Sequence, residues 1–221
     1  MIKHKIGLIR VVTIENEELL NSHGRLIERA FPEVKVVSKC IEDQPKGIYD
    51  EETEKIARPK ILRLVQDFQE EVEGIIISCA ADPAIDEARK ISKIPIIGAG
   101  TSSALMALAC GRKIGVLNLT ERTPKVFKEI LKDSLIAEAN PEGVKNTLDL
   151  LSDWGKERAL EAAGKLREKG AEAIAFACTG YSTIGLAPFL EKSLKLPVID
   201  AVIASGAIAL YTLRRLKCWE G

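Results

Sequence analysis

Short apolar runs rich in Ile and Val alternate along this chain with longer stretches whose apolar positions recur at helical spacing. The runs predict strands over Lys5–Val12, Val34–Ser38, Gly74–Ser78 and Ile94–Gly98 in the first half. In the second half they predict strands over Lys113–Asn118, Leu135–Ala139, Ala173–Ala177 and Pro197–Asp200. Ile75-Ile76-Ile77 has no polar side, which suits a strand covered on both faces by helices, as in a parallel sheet. Between the strands, a helix is expected over Glu54–Glu71, where Ile56, Leu62, Val65 and Phe68 fall near a helical period. Thr123-Pro124 reads as a capping residue followed by proline at the first helical position, opening a helix over Lys125–Asp133. A longer helix over Leu148–Lys169 should stop at Gly170, where a left-handed cap fits. The last helix, Ser205–Lys217, sets Arg214, Arg215 and Lys217 near its C-terminal dipole. Strands alternating with helices in this way predict open parallel sheets with right-handed crossovers.

The two halves repeat each other. Gly74-Ile75-Ile76-Ile77-Ser78-Cys79 leads on to Lys93-Ile94-Pro95-Ile96-Ile97, and Ala173-Ile174-Ala175-Phe176-Ala177-Cys178 leads on to Lys195-Leu196-Pro197-Val198-Ile199. Lys5-Ile6-Gly7-Leu8-Ile9 has its counterpart in Lys113-Ile114-Gly115-Val116-Leu117. Three landmarks in the same order mark a duplicated unit. The expected architecture is therefore α/β, with two pseudo-symmetric flavodoxin-like lobes. Each lobe is a four-stranded parallel sheet flanked by helices, and the active site is expected between the lobes. Residues 1–100 form the first lobe, 101–203 the second, and the C-terminal helix 204–221 is expected to pack back on the first.

Composition narrows the function classes. With 32 basic and 32 acidic residues the formal net charge is zero, so nothing marks a nucleic-acid or anionic-membrane surface. Neither a secretory leader nor an apolar run long enough to span a bilayer is evident, and a cytoplasmic protein is the expectation. The five cysteines (Cys40, Cys79, Cys110, Cys178 and Cys218) are odd in number and widely spaced, unlike a disulfide framework. With only His4 and His23, and no C-x-x-C pair, no metal site is expected. Nucleotide-binding glycine motifs and a G-x-S-x-G elbow are absent too. Cofactor-free chemistry on a small molecule is the economical expectation, in a protein that self-associates as many enzymes do.

Cys79 and Cys178 carry that chemistry. Each ends an apolar strand, and ligands of open parallel sheets bind beyond the carboxyl ends of the strands. After Cys79, Asp82 reads as an N-cap and Pro83 as the first helical residue; after Cys178 comes Thr179-Gly180-Tyr181. Amides at such turns can bind a substrate oxygen, and a helix N-terminus can bring a thiol towards neutrality. A single strand-end cysteine is by base rate inert core. Two at equivalent points of a repeat suggest facing sulfurs, one removing a proton from a carbon and the other returning it. Cys40, Cys110 and Cys218 are assigned to packing or surface. Proton removal next to a carbonyl leaves an oxyanion that needs donors. Thr13, Thr120 and Thr123 follow the first strand of each half and can supply them, although Thr123 also suits a helix cap. Thr101-Ser102-Ser103 can line the cleft or cap the next helix.

These segments resemble the aspartate/glutamate racemase superfamily and, within it, the hydantoin racemase branch. Ser78-Cys79-Ala80-Ala81-Asp82-Pro83-Ala84-Ile85-Asp86 is similar to the first-cysteine segment of hydantoin racemases. Cys178-Thr179-Gly180 and Pro197-Val198-Ile199-Asp200-Ala201-Val202 are similar to the second-cysteine segment and the strand after it. Thr120-x-x-Thr123 resembles a substrate-carboxylate motif of the amino-acid racemases. The resemblance implies a two-lobed isomerase without pyridoxal phosphate or metal, in which Cys79 and Cys178 serve as thiolate and thiol. It further implies that Thr13, Ala80, Thr120, Thr123, Thr179 and Gly180 contact the substrate, a hydantoin or an amino acid. The chain departs from glutamate racemases in having Gly180 where they carry histidine, and Val12-Thr13 where they carry Asp-Ser. It also lacks the Asn-Pro-Asn-Thr-like loop of hydantoin racemases. A same-fold cysteine-dependent decarboxylase or cis-trans isomerase, and a non-catalytic small-molecule-binding protein, are the competing readings.

Overall fold

The computed structural model describes residues 4–119, 122–144 and 149–217. The chain divides into two compact units, Met1–Ala99 with Ser205–Gly221, and Gly100–Ala204. The first holds β1 (His4–Arg10), α1 (Glu17–Ala30), β2 (Val34–Cys40), α2 (Glu51–Phe68), β3 (Gly74–Ser78), α3 (Ile85–Ile91) and β4 (Ile96–Gly98). The second holds α4 (Ala99–Cys110), β5 (Ile114–Leu117), α5 (Lys125–Leu131), β6 (Leu135–Ala139), α6 (Asp153–Glu168), β7 (Ala173–Phe176), α7 (Gly180–Thr183), α8 (Leu186–Leu194) and β8 (Val198–Ile199). The chain returns to the first unit within α9 (Ala201–Lys217).

Each unit carries a four-stranded parallel sheet of identical order, β2-β1-β3-β4 in the first and β6-β5-β7-β8 in the second. One sequence device builds both cores. Gly7 on β1 leaves room for Phe68 of α2, whose ring would lie 3.0 Å from any Cβ added there. Gly115, its counterpart on β5, leaves room for Leu166 of α6, also 3.0 Å from an added Cβ. Ile9, Ile75 and Ile77 meet Ile61, Val65 and Phe68 in one core; Leu117, Ile174 and Phe176 meet Ala159, Ala163 and Leu166 in the other. α9 lies on the first unit, with Gly206 close against Ile27 and Leu213 beside Gly74.

Several element ends differ from the pattern-based expectation. α2 starts at Glu51 because Asp50 and Thr53 form a reciprocal capping box, and it buries Ala57, Ile61, Val65 and Phe68. Ile56 lies off that face and is 48% exposed. α6 starts at Asp153, where the Ser152 hydroxyl accepts from the Gly155 amide; Leu148, the expected start, lies outside the described residues. Gly170 does sit in the left-handed region, at φ +88°. α5 has Pro124, not Thr123, as its N-cap residue and no side-chain cap. Thr101, Ser102 and Ser103 lie inside α4 rather than ahead of it, and Ser103 donates to the Phe176 carbonyl at 3.1 Å. Among the described residues, no helix is long and apolar enough to cross a membrane.

Candidate active site

The strand registers put the two cysteines at matching points. Ile77 of β3 pairs with Gly98 of β4, and Cys79 lies two residues further on. Ala175 of β7 pairs with Ile199 of β8, so Phe176 is level with Asp200 and Cys178 again lies two residues further on. Both cysteines are outside any disulfide and half-buried at the carboxyl ends of their own sheets. Cys40 is a half-buried free thiol and Cys110 an exposed one, while Cys218 lies outside the described residues.

The two turns are built differently. The Cys79 amide donates back to the Ile77 carbonyl at 3.0 Å, and the Asp82 amide donates to the Cys79 carbonyl at 3.1 Å. Asp82 and Ala84 both sit in the left-handed region, at φ +51° and +56°, a conformation that costs non-glycine residues energy. Asp82 is therefore no N-cap and Pro83 no first helical residue, because that backbone delays α3 until Ile85. Asp82 is buried all the same, and its carboxylate fills the space in which a Cβ at Gly98 would stand.

After Cys178 the chain goes straight into α7, with Thr179 as the N-cap residue. The Gly180 amide donates to the Cys178 sulfur at 3.3 Å. Helix-start amides were expected to lower the thiol pKa; the opposite holds. Burial pushes Cys178 up to about 11, and the amides of Gly180 and Tyr181 offset only part of that. α7 is only four residues long, too short for an effective dipole.

The predicted substrate-contact residues fall into two groups, one in each unit. Ala80 is buried next to Cys79. Thr13 follows β1, the strand beside β3; its amide donates to the Gln44 carbonyl at 3.1 Å, and its hydroxyl accepts from the Gln44 amide at 2.7 Å. In the second unit, Thr123 is buried and its hydroxyl accepts from the Asn118 side-chain amide at 2.6 Å. The Asn118 carbonyl in turn accepts from the Tyr181 hydroxyl at 2.7 Å, so a polar chain joins Thr123 to the Cys178 turn. Thr120 lies outside the described residues.

Asn118 and Tyr181 are groups that sequence reasoning missed. Tyr181 is fully buried, with its ring centroid 4.9 Å from that of Phe176. Its sequence signal was a large aromatic just after a cysteine turn. Asp200 was missed as well. Its Oδ1 accepts from the Ser182 hydroxyl at 2.8 Å and from the amides of Val202 and Ile203 at 2.9 and 3.0 Å. Burial raises its pKa against those bonds. Beneath Ser78, buried His23 meets the Ser78 hydroxyl through Nδ1 at 2.8 Å. Burial and the Arg10 charge push His23 well below its usual pKa, so it is neutral. Arg10 itself is buried, lowered to about 10, and donates to the carbonyls of Leu19 and Leu20 and to Ser22. Among the described residues, no group of three His, Cys, Asp or Glu side chains could hold a metal ion.

Two parallel four-stranded units, each with a strand-end cysteine, match known racemases in sequence and fold. Residues 16–207 fit the model of the Asp/Glu/Hydantoin racemase family, and the chain belongs to that family. The hydantoin racemase of Pseudomonas sp. (strain NS671) is 28% identical over 179 residues, 75% of this chain and 68% of that protein. The hydantoin racemase of Rhizobium meliloti is 29% identical over 175 residues, 76% of this chain and 71% of that protein. The allantoin racemase from Klebsiella pneumoniae superposes with a TM-score of 0.85 at 23% identity, covering 97% of this chain and 89% of its own. A glutamate racemase from Bacillus anthracis gives 0.72 at 15% identity, covering 97% and 82%. The chain is thus an enzyme of the racemase class, in the hydantoin racemase-like branch.

Proposed function

We propose that this protein is a cofactor-independent racemase whose two acid–base groups are Cys79 and Cys178, acting on a hydantoin or amino acid at the carbon next to a carbonyl. The observation that carries the reading is the matched register: each thiol stands half-exposed at the same point of the same sheet order. Similarity to hydantoin racemases favours a hydantoin ring as the first substrate to try.

In the reaction a thiolate takes the carbon-bound proton and becomes a thiol. The electron pair moves into the adjoining carbonyl as an enolate. The second thiol then gives its proton to the opposite face and is left as thiolate, so the two sulfurs exchange roles with each inversion. Two ionised sulfurs acting together would repel, which favours a mixed resting pair. Burial favours the thiol form of Cys178, the form in which it gives a proton to the substrate carbon. Thr13, the Ala80 amide, Thr120, Thr123, Thr179 and the Gly180 amide are the proposed donors to substrate oxygens. Such donors often supply the largest catalytic contribution. We place the enzyme in the cytoplasm as a homo-oligomer, which light scattering on the purified protein would check.

The test is a panel of 5-benzylhydantoin, allantoin and glutamate, each as single enantiomers in heavy water. At least one should gain carbon-bound deuterium while losing optical activity. A folded protein that exchanges none of them would overturn the reading.

A further inference from the structure

The repeat holds one more correspondence, and it concerns carboxylates. By register and by the flanking Lys-x-Pro segments, Gly98 and Asp200 are equivalent positions at the exits of β4 and β8. In the second unit the carboxylate grows from that position, as Asp200, and the Cys178 turn reaches it through the Ser182 hydroxyl at 2.8 Å. In the first unit the position is glycine, and the carboxylate comes from the other side, from Asp82 in the Cys79 turn. It occupies the volume that a side chain at residue 98 would take. One place in the repeat thus holds a carboxylate in both units, delivered from opposite strands.

We propose that these carboxylates are positioning residues: Asp82 sets the Cys79 turn against the exit of β4, and Asp200 sets the Cys178 turn against the exit of β8. Each acts through its cysteine turn. The backbone of the first turn supports this, since Asp82 is held at φ +51° and Ala84 at +56° while the carboxylate stays buried. Strain of that kind persists only where the surroundings over-determine it. Gly98 has an ordinary strand backbone, so its lack of a side chain serves the carboxylate rather than a special dihedral angle. In the second turn three donors converge on Asp200 Oδ1, two of them the opening amides of α9 and the third from the cysteine segment. The geometry of the tether stands on its own; only its kinetic consequence rests on the proposed cysteine chemistry.

The correspondence allows a transplant. Asp82→Ala removes the first carboxylate, and Asp82→Ala/Gly98→Asp returns it from the strand that supplies it in the other unit. The removed Asp82 atoms are the ones a residue-98 side chain would meet. Alkylation by iodoacetamide, followed for each cysteine peptide by mass spectrometry, reads the tether without any substrate. Asp82→Ala should speed alkylation of Cys79 and leave Cys178 unchanged, and the double variant should return Cys79 to the wild-type rate. Asp200→Ala should speed Cys178 alone, and Asp200→Asn, which keeps the acceptor oxygen, should restore it. With 5-benzylhydantoin, each alanine variant should lose about a hundredfold in kcat, the scale of a displaced catalytic group. Circular dichroism confirms which variants are folded. Unchanged alkylation in folded alanine variants, or a folded transplant that fails to restore Cys79, overturns the proposal. Wild-type protein inert towards hydantoins, allantoin and glutamate alike would count against the racemase reading and leave the alkylation result to judge the tether.

Discussion

The Cys79 turn and the Cys178 turn occupy the same place in the same sheet order, yet each fixes its thiol by different means. The first uses backbone strain: two left-handed non-glycine residues, no helix until Ile85, and a carboxylate reaching back to a glycine. The second uses packing: an immediate helical turn, a buried tyrosine against Phe176, and a hydrogen-bond chain through Asn118 to Thr123. The titratable surroundings differ in the same way. Neutral His23 sits under Ser78, next to Cys79, whereas in the second unit the thiol is itself the group that burial holds neutral. Duplication copies where a group stands; the few residues around it decide its chemistry.

The largest blow to this asymmetry should come from Tyr181→Ala. Removing a fully buried aromatic and its bond to Asn118 should cost about 3–5 kcal/mol in denaturant unfolding. A loss below about 1 kcal/mol, the scale of one hydrogen bond, would show that packing does not hold the second turn.

Next come opposite pH responses. The folded pKa of Cys178 is raised, from 9.0 to about 11, so its contribution is fully present below pH 9 and is lost as pH rises towards 11. That alkaline loss should reach up to about 2 kcal/mol and shrink in Cys178→Ala. His23 behaves in the other sense. Its folded pKa is depressed, so its contribution is present above its ordinary value and is lost as pH falls through the acid range. His23→Gln should flatten the acid limb and leave the alkaline one alone. Denaturation midpoints measured across pH check both, and matching limbs in the two variants would erase the contrast.

The smallest effect is expected from Tyr181→Phe, which keeps the ring and removes only the hydroxyl. Leaving the buried Asn118 carbonyl without that donor should cost about 1 kcal/mol.

Much of the fold was legible because a parallel sheet writes itself into sequence as continuous apolar runs; Gly74–Ser78 and Leu135–Ala139 match their strands end to end. α1 was not read because Asn21, His23 and Gly24 interrupt its pattern, although Asn16 caps it by accepting from the Leu19 amide. α4 was legible only as a helix without bounds after Thr101-Ser102-Ser103, because Ala99–Cys110 is apolar nearly all round and shows no face. The cysteines and threonines were visible as residue types at strand ends. Their partners were not, since a bond such as Ser182 to Asp200 spans a helix and a strand that local periodicity treats separately. Thr123-Pro124 and Asp82-Pro83 show the limit most clearly. Both dipeptides look like helix starts, yet Thr123 is taken by Asn118 and Asp82 by the exit of β4.

The most direct measurement follows Cys79→Ser and Cys178→Ser with each enantiomer of 5-benzylhydantoin in heavy water, reading carbon-bound deuterium and optical rotation together. Each variant should lose inversion by about a thousandfold, the range expected of an essential acid–base group. Residual exchange should proceed from one enantiomer only, and the favoured enantiomer should be opposite in the two variants. Full inversion in either variant, or the same favoured enantiomer in both, would contradict a reaction shared between these two sulfurs.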